Sequence, residues 1–418
     1  MHLPEPEQEL KDKSDALVTL LKERIKAQGP ISFADYMRTA LYEPGHGYYV
    51  AGQMIFGPAG DFQTAPMLGS VFGECIAEQC LEVWESLSTK ASSSTVQSAI
   101  ASGVFEFGAG QGDLAAVLYS RLCQRCLEQN LPLPDYHILE PSAALRECQQ
   151  ARLQEFGDNI HWHTQIPESF AGVVVANEVL DAMPVERFRY KRAEQSESPE
   201  QVSGARFQRQ FVDFEENGCL CSTFVDCDDS FENLLQQGCG DLVQAWPDGF
   251  TFEWNTHVGG WLGALGECLT HGAVLLFDYG YPRKEFLLPE RSDGTLMCYY
   301  RHRAHADPFF YPGLQDITAH VDFTSVAEAS VQADLELNGY CSQGSFLQVF
   351  LNDITDTNVD RQGVEAAESE LQRIKRAQEI KTLTLPGSMG ERFQVMGFSR
   401  GFDFALRGFS LEDLSYRL

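Results

Sequence analysis

The chain has 418 residues, 44% apolar and 22% charged, enough to bury a large core and to suggest two or three domains, or one large domain with insertions. No stretch approaches the roughly 20 uninterrupted apolar residues of a membrane span. The net charge of −29, from 60 acidic against 31 basic residues, argues against a nucleic-acid phosphate backbone as partner and, at most, favours a basic protein.

The first residues, "MHLPEPEQEL", are acidic and polar, unlike the basic and apolar start of a secretory signal or the Arg-rich, acid-poor start of a mitochondrial presequence, so a soluble cytoplasmic protein is expected. Ser14 is placed to cap a helix whose Leu17, Leu20, Leu21 and Ile25 share a face, with Gly29-Pro30 as its stop. Ser32 and Asp35 form a capping-box variant at the start of "FADYMRTALY", and "EPGHGYY" must turn. After "GDFQTAP", residues 60–66, a third helix is expected from the apolar stripe Leu68, Val71, Phe72, Cys75, Ile76, Cys80, Val83 and Trp84. Residues 90–102 are rich in Ser and Ala and read as a linker.

From residue 103 strands and helices alternate, the order of a parallel sheet. "GVFEFG", "YHILE", "NIHWH", "GVVVANE" and "HGAVLLFDYG" are the expected strands, and "ERFQVMGFSRG" supplies a last one. Between the fourth and fifth, "PVERFRYKR" and "ARFQRQFVDF" alternate around a polar stretch and suit an inserted hairpin. Cys123 and Cys126 make the lone C-x-x-C, set in a helical pattern with no second pair at zinc-ribbon spacing, so all twelve cysteines are expected reduced and no metal is expected.

The chemistry centres on "VFEFGAGQGDL". Gly108, Gly110 and Gly112 give G-x-G-x-G rather than the G-x-G-x-x-G of dinucleotide folds. Glu106, two residues before the first glycine, would repel a pyrophosphate and attract a cation. S-adenosyl-L-methionine carries a sulfonium and an ammonium and no phosphate, and its amino-acid tail approaches backbone only where side chains are absent. The alternative is a tight strand-to-helix turn with no ligand. Glu140 ends the next strand, where an acid hydrogen-bonds both hydroxyls of an adenosine ribose. Asn177, Glu178 and Asp181 follow the buried run "GVVV", at the strand edge where open α/β sheets place ligands.

"GDFQTAP", "FEFGAGQGDL", "LEPSAALR", "ANEVLDAMPV", "FDYGY" and "DITAHVDF", in this order, resemble the MidA family of class I S-adenosylmethionine-dependent methyltransferases, over roughly residues 30 to 400. The resemblance implies an α/β, Rossmann-like methyltransferase fold with a mainly parallel seven-stranded sheet, an N-terminal helical region over the cofactor site (1–100) and a methyltransferase domain (101–418) with insertions near 184–250 and 283–324. Mitochondrial members serve respiratory complex I assembly and methylate a protein arginine. The implied partner is therefore a protein substrate, such as a respiratory-complex subunit, and the start of this chain points to a bacterial relative.

Carried over, the resemblance sets the methionine part of the cofactor against Gly108, Gly110 and Gly112 with Glu106 near its positive end, the ribose on Glu140, and Asn177 beside the methionyl group. Asp61 and Thr64 are implied as further cofactor contacts, although Asp61 could instead cap a helix or hold a turn. An arginine substrate needs a carboxylate that forks onto the guanidinium and leaves one nitrogen its lone pair, and Glu178 and Asp181 are the candidates. Either could instead cap or pair with a local Arg such as Arg187. His302, His305, Asp307, His320 and Asp322 tempt a metal assignment, but H-x-x-H in a loop lacks zincin geometry and methyl transfer needs no Lewis acid. A lid or substrate wall is the expectation for this insertion, with His320 and Asp322 on the substrate side and Phe309, Phe310 and Tyr311 against water. The rival readings are a non-catalytic S-adenosylmethionine-binding assembly factor and an NAD-dependent oxidoreductase; the latter fails on glycine spacing and Glu106.

Overall fold

The structure, a computed structural model, describes residues 3–50, 64–91, 101–192, 206–355, 370–401 and 404–418. The expected Asp61 contact, most of the Ser/Ala-rich linker and the polar tip of the inserted hairpin lie outside the described residues. Two compact units form, Met1–Phe62 with Asp181–Val258 and Tyr281–Asp322, and Gln63–Leu180 with Gly259–Gly280 and Phe323–Leu418. The division differs from a cut near residue 100: both insertions join the first N-terminal helices, and the helix from Val71 joins the sheet.

In the first unit, helix α1 (Gln8–Gln28) buries Leu17, Leu21 and Ile25 at fourfold spacing on one face. It starts before Ser14, because Gln8 to Lys13 are helix formers. Ser14 is thus interior, and its hydroxyl donates to the Pro312 carbonyl at 2.9 Å. Gly29, at φ 86°, ends the helix. Helix α2 (Phe33–Tyr42) starts where expected, with the Ser32 hydroxyl accepting from the Asp35 N–H at 3.1 Å.

The inserted hairpin is present: Glu186–Tyr190 pairs antiparallel with Phe207–Phe214, which also pairs with Ile31–Ser32 and Leu220–Asp226. Phe188, Phe207, Trp246 and Phe252 make its core. The stretch expected as loops contains a small sheet, Met297–Tyr300 against Arg303–His305 and Asp316–Thr318. Arg301 and His302, at φ 47° and 60°, form its tight turn, a geometry usually announced by Asn-Gly and here carried by residues that give no such signal.

The second unit is built on a sheet of β1 (Ala101–Phe107), β2 (Asp135–Leu139), β3 (Ile160–His163), β4 (Phe170–Asn177), β5 (Leu269–Tyr281), β6 (Glu336–Ser342) and β7 (Phe393–Arg400), in the order β6-β7-β5-β4-β1-β2-β3. β7 runs antiparallel to β5 and β6, and the other pairings are parallel. Val104, Val173, Val175, Leu275 and Phe277 pack under helices α3 (Val71–Ala91) and α4 (Asp113–Gln129), through Phe72, Cys75, Ile76, Leu114, Leu118 and Leu122. Strands covered on both faces read as continuous apolar runs, which is why they were visible in the sequence. Gly103, Gly172 and Gly272 lie in register across β1, β4 and β5 at φ 133°, 151° and 144°, so close that a Cβ on Gly172 would run into the Gly103 carbonyl.

This topology sets the carboxyl ends of β5, β4, β1 and β2 side by side along one edge, where Asp278, Asn177, the glycine turn and Glu140 stand. The N-terminus of α3 is tied down by helix α6 (Glu370–Thr384), numbered after α5 (Ala143–Arg152): Glu379 accepts from the Val71 N–H at 2.7 Å, and Arg376 pairs with Glu74 at 2.7 Å.

Candidate active site

At the end of β1, Gly108, Gly110 and Gly112 have φ of 68°, 53° and 85°, and the Gly112 N–H closes the turn on the Ala109 carbonyl at 2.7 Å. Glycine takes these positive angles without the steric cost that a side chain would bring. At Gly108 a Cβ would also meet Val179 Cγ2 at 2.7 Å. Side chains are excluded where a ligand would reach the backbone.

Glu106 is buried behind this turn. Strand alternation puts it on the face opposite Phe105 and Phe107, and Tyr136 Oη donates to its Oε2 at 2.8 Å. Burial raises its pKa to about 8, outweighing the hydrogen bond, so the group is protonated at neutral pH. It therefore brings a neutral, fixed carboxyl to the base of the loop rather than the free negative charge that the sequence suggested.

Glu140 directly follows β2, whose last residue is Leu139, one residue short of the strand end that the sequence suggested. Its Oε1 accepts from the Ser142 N–H at 2.8 Å and its Oε2 from Gln149 Nε2 at 2.9 Å. Burial raises its pKa while both donors pull the other way. A carboxylate offers about four lone-pair sites, so two donors leave room for two ribose hydroxyls.

At the end of β4, Asn177 Nδ2 donates to Glu178 Oε1 at 3.2 Å, which fixes the amide with its oxygen elsewhere; Asn177 Oδ1 is buried and has no hydrogen-bond partner among the described residues. Glu178 adopts φ 52°, unusual for a non-glycine residue, and its N–H bonds the Phe277 carbonyl at 2.9 Å. Asp278 braces this turn: one carboxylate oxygen accepts from the Leu180 N–H and the other from its neighbour's, Tyr279, each at 2.9 Å. Thr64 precedes the short helix Ala65–Leu68 and makes no side-chain cap bond.

The remaining expected residues belong to the first unit. Asp181 is buried, and its carbonyl accepts from the Ala319 N–H at 3.0 Å. Asp322 pairs with Arg283 at 2.9 Å, which offsets its charge. His320 packs edge-on to Tyr281, and burial pushes its pKa down to about 4, leaving it neutral. Glu178 and Asp181 thus fall in different units despite their i, i+3 spacing.

Sequence reasoning missed Gln149, Trp162 and Asp278. Asp278 stood in the quoted "FDYGY" at a strand end and could have been found by the same positional argument as Glu140. Gln149 and Trp162 carry no signal in one sequence.

A family model described as "Putative S-adenosyl-L-methionine-dependent methyltransferase" matches residues 75–341. The chain belongs to this family. It is 26% identical to "Protein arginine methyltransferase NDUFAF7 homolog, mitochondrial" of Drosophila melanogaster, over 95% of this chain and 88% of that one. It is 28% identical to "Protein arginine methyltransferase NDUFAF7, mitochondrial" of Danio rerio, over 90% and 84%. Among solved structures, a "likely methyl transferase" from Burkholderia thailandensis bound to S-adenosyl-homocysteine matches with TM-score 0.84 and 34% identity over 100% of both chains. The methyltransferase fold and its cofactor class are thereby established for this chain. The residues fit that cofactor: the glycine turn holds its backbone bare at positive φ, where a ligand can approach it, and the buried Asn177 Oδ1 is an acceptor suited to an ammonium.

Proposed function

We propose that this methyltransferase modifies an arginine side chain of a protein partner, and that the second unit's carboxyl edge holds the cofactor. Bound S-adenosyl-L-methionine supplies a methyl group on a sulfonium, whose S–C bond breaks as a nitrogen lone pair attacks the carbon. The glycine turn, with Asn177 Oδ1, takes the amino-acid end, Glu140 takes the ribose, and Thr64 and Asp61 are proposed further contacts. Glu106, neutral and bonded to Tyr136, fixes the shape of the loop's base.

Glu178 is proposed to receive the guanidinium. Its carboxylate draws the positive charge toward the nitrogens it binds and leaves the attacking nitrogen its lone pair; the proton released on methylation passes to the carboxylate or to water. The observation that carries this reading is Glu178, held just after β4 with its backbone in a left-handed conformation, beside a buried amide oxygen that has no partner among the described residues. The arginine class rests also on the names of the relatives. No step is routed through Asp181, His320 or Asp322. A respiratory-complex subunit as substrate remains part of the proposal through the family resemblance, and a cytoplasmic setting is proposed with it.

Purified protein incubated with methyl-labelled S-adenosylmethionine and host lysate should label a discrete protein, and hydrolysis should release methylarginine. Methyl-lysine or methyl-glutamine as the labelled product would overturn the arginine assignment. Binding of the cofactor with no transfer to any lysate protein would favour the holding role instead.

A further inference from the structure

We propose that Gln149 is a positioning residue that couples the glycine turn to the ribose acid, so that the two ends of the cofactor site are set by one side chain. This rests on the cofactor placement proposed above. Gln149 lies on α5 and is fully buried. Its Nε2 donates to the Gly110 carbonyl at 2.8 Å and to Glu140 Oε2 at 2.9 Å, and its Oε1 accepts from Trp162 Nε1 on β3 at 3.0 Å.

The chemistry of the three partners fixes the amide. An indole N–H can only donate, so it must meet the amide oxygen; a carbonyl and a carboxylate only accept, so the NH₂ must face them. Every polar atom of Gln149 is thus used, and each bond constrains the next. Trp162 orients the amide, the amide holds the Gly110 carbonyl back, and the same nitrogen, with Ser142, pins the Glu140 carboxylate in one rotation. Gly110 and Glu140 follow different strands, β1 and β2, and have no other side chain in common among the described hydrogen bonds. A purely structural glutamine would pack or cap; this one addresses two groups of the proposed site and nothing else except its own orienting donor.

The discriminating variant is Gln149→Glu, which keeps the shape and the Trp162 bond but replaces the double donor with an acceptor. Titration calorimetry with S-adenosylhomocysteine at neutral pH should show affinity reduced by roughly tenfold or more, as for removal of a group that orients ligand-binding residues. Burial against the Glu140 carboxylate raises the pKa of the introduced carboxyl, so the loss should grow as pH rises and shrink where that carboxyl is protonated and regains one donor. In turnover, the KM for S-adenosylmethionine should rise while kcat at saturating cofactor stays near that of the wild type. Trp162→Phe, which retains the ring and removes only the orienting donor, should weaken binding in the same direction by a smaller factor, and it tests the proposal if Gln149→Glu does not fold. Wild-type affinity in a folded Gln149→Glu or Trp162→Phe protein would overturn the coupling, as would a loss independent of pH that tracks a lowered Tm. Failure of the wild type itself to bind S-adenosylhomocysteine would instead overturn the cofactor placement.

Discussion

The phenol of Tyr136 donates a 2.8 Å hydrogen bond to Glu106 where almost no water reaches, and it is the burial of this carboxyl, only partly offset by the bond, that links stability to pH. The folded carboxyl titrates near 8 against a reference of 4.5, so the folded state holds its proton over a range where the unfolded chain has lost it. Stability from this group is complete below the lower value and declines as pH rises toward the upper one. Denaturant unfolding from pH 5.5 to 7.5 should show wild-type stability falling relative to Glu106→Gln by about 1.4 kcal/mol per pH unit at most. Parallel curves for the two proteins would mean that Glu106 is ionised in the fold.

Asp278 should matter for turnover more than for cofactor affinity. Its two oxygens hold the N–H groups of Leu180 and Tyr279, and removing an acceptor from buried donors costs about 1–3 kcal/mol. Asp278→Ala is expected to unfold earlier in denaturant and to lose kcat, because the Glu178 turn loses its brace, while retaining most of its affinity for S-adenosylhomocysteine. An unchanged kcat in this variant would show that the turn holds itself.

The strand-end positions of Glu140, Asn177 and Glu178 were legible because β4 is a buried, largely apolar run and β2 ends on Ile138 and Leu139, each stopping where polar residues begin. The Ser32–Asp35 cap was legible for a similarly local reason, the spacing of a donor and its acceptor. What stayed hidden depends on distant partners. The state of Glu106 is set by burial in the folded sheet, against the pull of a hydrogen bond from Tyr136, 30 residues away, and the role proposed for Gln149 by a carbonyl 39 residues before it. The helix start before Ser14 was missed because a polar first turn has no periodicity to read, and the small sheet from Met297 because strands of three or four residues lie below what alternation resolves.

Glu178→Gln preserves size and removes charge. If the carboxylate steers a guanidinium, the variant should bind S-adenosylmethionine as the wild type does and lose methyl transfer by roughly 100-fold or more, the scale of a lost electrostatic contact in a transition state. Single-turnover assays with saturating cofactor measure this directly. Transfer at the wild-type rate would remove Glu178 from the chemistry, and equal loss of binding and transfer would make it a cofactor residue.

The glycine row across the sheet gives a prediction about folding alone. Gly172→Ala forces a methyl group into the Gly103 carbonyl at a backbone angle that side chains avoid, and should destabilise the protein by about 3 kcal/mol or more. Thermal unfolding reads the effect, and a Tm within error of the wild type would show that the strands can part to admit the methyl.

Titration calorimetry of wild type and Glu140→Ala with S-adenosylhomocysteine and NAD tests the cofactor edge most directly. The wild type should bind S-adenosylhomocysteine and not NAD, and Glu140→Ala should bind it more weakly by about 1–3 kcal/mol, the scale of hydrogen bonds to a charged group. NAD binding without S-adenosylhomocysteine binding, or an affinity untouched by Glu140→Ala, would contradict it.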